Sequence, residues 1–127
     1  MKARLFRIGD NAELVRGTVG CETINYGTIF DGIFQGKVAN FRTISGGTFQ
    51  GEVNNWFTIS NGTFQGEVFN YGIISDGTFQ GEVYNHYTIS GGTFEKRMTL
   101  MSDDASITIS DGLFDGEVFT GICRFPL

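Results

Sequence analysis

The sequence predicts an all-β chain, a single short β-solenoid (β-helix) of about seven fifteen-residue coils with capped ends. Three observations carry that prediction. TISGGTFQGEVNNWF (Thr43–Phe57) returns almost unchanged as TISNGTFQGEVFNYG and then as IISDGTFQGEVYNHY, and a fixed period of this kind marks a repeat architecture. The chain holds 19 Gly and one Pro, and between the glycines stand Thr, Val, Ile and Phe, which is strand and turn chemistry. Fifteen residues are too few for a propeller blade or a helix pair. They suit one coil of short strands, each stacked on the row before at about 4.8 Å.

The elements follow in chain order. Residues 1–13 alternate in charge around Leu5, Phe6 and Ile8 and are expected to cap one end as a short helix or strand. Rows then begin at Leu14, Ile29, Ile44, Ile59, Ile74, Ile89 and Ile109. Three positions on, every row has Gly: Gly17, Gly32, Gly47, Gly62, Gly77, Gly92 and Gly112. Two further on comes an apolar anchor: Val19, then Phe34, Phe49, Phe64, Phe79, Phe94 and Phe114. Val38, Val53, Val68, Val83 and Val118 share the next slot, and Asn25, Asn40, Asn55, Asn70 and Asn85 the one after. Strand alternation points Gly51, Val53, Asn55 and Phe57 inward, on to Ile59. Ile, Phe and Val thus form three apolar ladders, and the Asn amides stack, each bonding its neighbours above and below so that no buried polar group is left unpaired. SGG, SNG and SDG form a corner where Gly supplies positive φ. Gly51 and its equivalents lie inside beside Phe, where the core has little room. The repeat breaks once, over Glu95–Thr108, with five extra residues and with Lys96, Arg97 and Met98 in place of Gly and Val. That break is either a functional loop on a rigid scaffold or a tolerated bulge. Residues 123–127, with Pro126, are expected to cap the other end, since open strand edges invite further stacking.

Charge and cysteines bound the function. The net charge is −5, unevenly spread. Residues 1–16 carry Lys2, Arg4, Arg7 and Arg16 against Asp10 and Glu13, while the rest holds twelve acidic and five basic side chains. An acidic body disfavours direct nucleic-acid binding, which needs Lys and Arg on phosphates. No apolar run approaches the roughly 18 residues of a membrane span, and no apolar stretch follows the basic start as in a secretory signal. A cytoplasmic protein is expected, with no membrane partner and no cofactor. Cys21 and Cys123 stand about six rows apart, close to 30 Å, whereas a disulfide tolerates only about 7 Å between Cα atoms. Two free thiols are expected, in keeping with a reducing compartment.

This pattern resembles the short-coil β-helix proteins, and the period is similar to that of certain insect antifreeze β-helices. The resemblance covers residues 14–122 and is one of architecture; the disulfides typical of those antifreeze proteins are missing. Fifteen is also three fives, but the recurring Asn/Asp-Leu signature of pentapeptide-repeat proteins is absent.

The outward columns carry the functional information. One is acidic, with Glu22, Glu52, Glu67, Glu82 and Glu117, broken by Lys37 and Arg97. Its plainer reading is a charged edge that keeps solenoids apart; its functional reading is a strip imitating a phosphate backbone. Asp115, with the corner residues Asp31, Asp76 and Asp111, would widen that strip. A second column is aromatic: Tyr26, Phe41, Trp56, Tyr71 and His86. Two positions earlier stand Ile24, Ala39, Asn54, Phe69, Tyr84 and Phe119. A contiguous apolar patch on a small protein marks an interface, in the simplest case a homodimer; the alternative is rings packed under a cap. Thr43/Ser45, Thr58/Ser60 and Thr88/Ser90, interrupted by Ile73, resemble an ice-binding hydroxyl array, although Thr is also an ordinary strand residue. Catalysis finds little support: His86 is the single His, no Cys/His cluster offers zinc, and the repeated Glu does not specify a unique acid–base pair at the glycosidase spacing.

The expectation is a non-enzymatic binding protein, an inhibitor or adaptor. It would dock on a protein partner through Tyr26, Phe41, Trp56, Phe69, Tyr71, Tyr84 and His86. Glu52, Glu67, Glu82, Asp115 and Glu117 would steer it or mimic nucleic acid toward a nucleic-acid-binding partner, as a phage-encoded defence inhibitor would. An ice- or glycan-binding surface and a self-assembling structural module are the alternatives.

Overall fold

The computed structural model describes residues 5–101 and 107–120, the last two by their backbone alone. Cys123 and the C-terminal cap expected at 123–127 lie outside the described residues. The chain winds as a β-solenoid of three parallel sheets, one of eight strands and two of seven, with no helix among the described residues. Each coil contributes one short strand to each sheet. In the coil that starts at Val53 these are Val53–Asn55, Thr58–Ile59 and Thr63–Phe64.

Strands this short are held by their neighbours, and all but the end strands of each sheet are paired on both sides. Val53 aligns with Val38 below and Val68 above, and Asn55 with Asn40 and Asn70. A fifteen-residue offset brings like residue over like residue, so the core is a set of single-residue columns. Ile29, Ile44, Ile59, Ile74 and Ile89 are fully buried, as are Phe34, Phe49, Phe64 and Phe79. The Phe rings stack with centroids 4.7–4.9 Å apart. Each such side chain taken out of water contributes about 1.5–3 kcal/mol.

The Asn column is the polar seam of this core. Each Nδ2 donates to the Oδ1 of the next coil: Asn25 to Asn40 at 2.7 Å, and Asn40 to Asn55, Asn55 to Asn70 and Asn70 to Asn85 at 2.8 Å. Backbone groups fix the amide orientation. Asn25 Oδ1 accepts from the Gly27 N–H while its Nδ2 donates to the Thr43 carbonyl. Apolar residues end the column, with Ile8 aligned below Asn25 and Leu100 above Asn85.

The corners follow the predicted chemistry in part. Gly32, Gly47, Gly62, Gly77, Gly92 and Gly112 all have φ between 109° and 132°, a region closed to most side chains. Asp31, Asp76 and Asp111 each accept a hydrogen bond at 2.8 Å from the following Gly N–H. Two expectations are corrected. Phe57, read as inward, is 52% exposed: the chain turns a corner between Asn55 and Thr58, and strand alternation does not run through a bend. Gly51 is small for a different reason from the one expected. A Cβ there would lie 2.7 Å from the Gly36 carbonyl oxygen of the coil below, so backbone and not the Phe ring excludes a side chain.

The ends of the repeat sit closer to register than the sequence suggested. Leu5–Ile8 enters as a strand paired with Glu22–Asn25. The offset there is 17, because the turn at Asp10–Asn11 holds two extra residues, with Asn11 at φ 63°. Across the break near 95–108, Met98 still aligns with Val83 and Leu100 with Asn85. Thr108 then aligns with Thr88, so the five extra residues fall between Leu100 and Thr108.

Candidate functional site

The eight-stranded sheet brings the two predicted functional columns onto one face. Along its strands inward and outward residues alternate, so Glu52, Asn54 and Trp56 point out around the inward Val53 and Asn55. The next coil repeats the row as Glu67, Phe69, Tyr71, and the one after as Glu82, Tyr84, His86. The face therefore has an acidic side, a mixed centre and an aromatic side.

The aromatic side is one continuous stack. Ring centroids run 5.3 Å from Tyr26 to Phe41, 6.3 Å to Trp56, 4.3 Å to Tyr71 and 4.5 Å to His86, all within 20° of parallel. Phe69 and Tyr84 stack beside it at 4.9 Å. The Arg7 guanidinium lies 4.8 Å from the Tyr26 centroid and ends the stack with a cation–π contact. Parallel stacking has a chemical consequence: the ring faces are covered by neighbours, and the edges meet solvent. Burial holds protonation of His86 below its ordinary range.

More apolar surface continues round the corner than the aromatic column alone supplies. Trp56 is 49% exposed, and Phe41, Phe57, Tyr87 and Ile73 are exposed as well. Tyr87 has no place in the sequence reading, which turns Phe57 inward and takes Ile73 only as a break in the Thr column. Their signal was present in the doublets Trp56-Phe57 and His86-Tyr87, and in the place where Ile73 interrupts the Thr column.

The acidic side is less uniform than its sequence. Lys37 pairs with Glu52 at 3.7 Å and Arg97 with Glu117 at 3.5 Å. Asn54 donates to Glu52 at 2.8 Å, and the Tyr84 hydroxyl donates to Glu82 at 2.7 Å. That last bond, then burial and the charges of Glu82 and Glu67, hold the Tyr84 phenol above its ordinary range. Glu67 has no hydrogen bond or ion pair among the described residues. Asp115 is exposed at the edge where the Thr–Phe sheet meets this face. Asp31, Asp76 and Asp111 do not widen the strip, because they occupy the corner between the other two sheets, away from it.

The other surfaces are plainer. On the Thr–Ile sheet the Ser60 and Ser75 hydroxyls turn toward the wall, donating to the Ile44 and Ile59 carbonyls at 3.3 and 3.4 Å. Two open depressions, of about 440 and 390 Å³, are lined largely by Gly, Ser, Thr and Asp of the glycine corner and lie off the aromatic face. Among the described residues no group of three His, Cys, Asp or Glu is placed to hold a metal ion, and no helix is long and apolar enough to cross a membrane. Cys21 is a free thiol. No family model matches the chain, and no curated protein or solved structure matches it either.

Proposed function

We propose that this chain is a non-enzymatic docking protein, an inhibitor or adaptor that binds a protein partner through the outward face of the eight-stranded sheet and the aromatic corner beside it. The observation that carries this reading is the outward five-ring stack, exposed at Phe41 and Trp56 and half-buried at Tyr26, Tyr71 and His86, on the same face as a column of carboxylates. Aromatic side chains held rigid lose little entropy on binding and are the usual interface anchors. Neighbouring charges steer the encounter and set the register of docking.

Two competing readings fare worse on physical grounds. A glycan platform offers ring faces to sugars, whereas these faces are taken up by the adjacent rings. A nucleic-acid mimic must approach the charge density of a duplex, about one charge per 1.7 Å. The Glu column supplies at most one per about 4.8 Å, and Lys37 and Arg97 bracket its three consecutive acids.

A photo-crosslinking amino acid tests the docking reading. Placed at Phe41 or Asn54 in extract of the producing cells, it is expected to capture a protein. The same group at Thr63 or Thr78, outward on another sheet, is expected to capture none, and Trp56→Ser with Tyr71→Ser should abolish the product. Equal products from both sheets, or products indifferent to the double substitution, would remove this reading.

A further inference from the structure

Resting on that docking reading, we infer that the partner presents a cationic segment with apolar side chains at alternate positions, and that Glu67, Phe69 and Tyr71 are the row that reads it. The inference starts from the three consecutive carboxylates Glu52, Glu67 and Glu82. Their strands are neighbours in the sheet, so the columns repeat at about 4.8 Å and like charges face each other at a cost. Glu52 is offset by Lys37 and Asn54, and Glu82 by Tyr84. Glu67 stands between them, exposed and without a partner among the described residues, so an incoming cation gains most there.

The same coil supplies the rest of the recognition. Phe69 lies in the strand Val68–Asn70, with Glu67 just before it and Tyr71 just after it at the start of the bend, all three outward; each is two residues from the next, about 6.6 Å where the backbone is extended. An extended partner segment has the same two-residue step. A Lys or Arg opposite Glu67 therefore sets the next two outward-matching positions over Phe69 and against the exposed edge of Tyr71. The pattern is cation, any, apolar, any, apolar. A second copy of this chain fits poorly. Antiparallel pairing of two such faces sets carboxylates on carboxylates, and parallel pairing sets carboxylates on rings. Two aromatic corners brought together touch only along a line.

The test uses the full chain, ¹⁵N-labelled, and three blocked peptides: Ac-Arg-Thr-Leu-Thr-Leu-NH₂ and its Gln and Glu counterparts at the first position. The Arg peptide is expected to shift the amides of residues 67–71 and to bind more tightly than the Gln peptide, with the Glu peptide weakest. Glu67→Gln should weaken the Arg peptide two- to fivefold, the range of an exposed ion pair, and erase its advantage over the Gln peptide. Glu117→Gln, which removes a carboxylate already paired with Arg97, should leave it unchanged. Equal binding of the Arg and Gln peptides, shifts centred elsewhere, no binding by any peptide, or dilution-dependent shifts from self-association across the face would each overturn the inference. Crosslinking from Phe41 and Asn54 uses no peptide, so the docking reading survives or fails separately.

Discussion

At the scale of single residues, most columns explain themselves and one member does not. Thr23 aligns with Val38 in the column that Val fills through the middle coils. It is fully buried, and its Oγ1 has no hydrogen-bond partner. A buried hydroxyl without a partner loses its hydration and regains nothing. Thr23→Val keeps the shape and removes that loss, so stability in urea unfolding should rise by about 1 kcal/mol; a fall would mean that the hydroxyl is bonded after all. Other residues show where the sequence stops being legible. The Asn column and the aromatic column were readable because period and alternation alone place them. The ion pairs Lys37–Glu52 and Arg97–Glu117 were legible only as neighbours in one column; that their charged ends meet depends on rotamers no pattern encodes. Arg7 over Tyr26 was hidden by the two extra residues at Asp10–Asn11, which shift its row out of the period.

At the scale of the coil, the design is three short strands and three bends, and the bends limit what alternation can say. Through Val53–Asn55 the inward and outward assignment holds; past it, Phe57 falls outside. The acidic and aromatic columns share a face because one strand, three residues long, separates Glu52 from Trp56. The Asp corner lies elsewhere because two bends intervene, which a linear pattern does not display. Coil-to-coil contact also sets a steric rule. A Cβ on Gly66 would sit 2.5 Å from the Gly51 carbonyl oxygen, with no flexible side chain to yield. Gly66→Ala should therefore cost about 2 kcal/mol or more, as overpacking against backbone does. Gly20→Ala meets only the end of the Gln35 side chain, at 3.4 Å, and should stay within about 0.5 kcal/mol of the parent. Comparable midpoints for the two variants would mean that the coils can spread.

At the scale of the whole molecule, stability is a sum of coils and nearest-neighbour interfaces. Removing residues 55–69 deletes one whole fifteen-residue coil and joins Asn54 to Asn70, so every remaining residue keeps its column. That variant should fold, with a smaller unfolding amplitude and lower stability. Removing residues 55–68 leaves the coil one residue too long, and the surplus falls inside a strand and not in a bend such as Asp10–Asn11, where extra residues are absorbed; inward side chains beyond the join then turn outward, and the strand signal in far-ultraviolet circular dichroism should fall well below that of the fifteen-residue deletion. Two deletions that behave alike would contradict a register built on equivalent positions. The same column logic gives the amide seam a further property. All four of its links point the same way, from Asn25 toward Asn85, so the side-chain dipoles add along the axis as peptide dipoles do in an α-helix. Reversing one amide would oppose oxygen to oxygen on one side and nitrogen to nitrogen on the other. The seam therefore holds a single sense of polarity that changes collectively or not at all, and it gives the molecule an electrical head and tail.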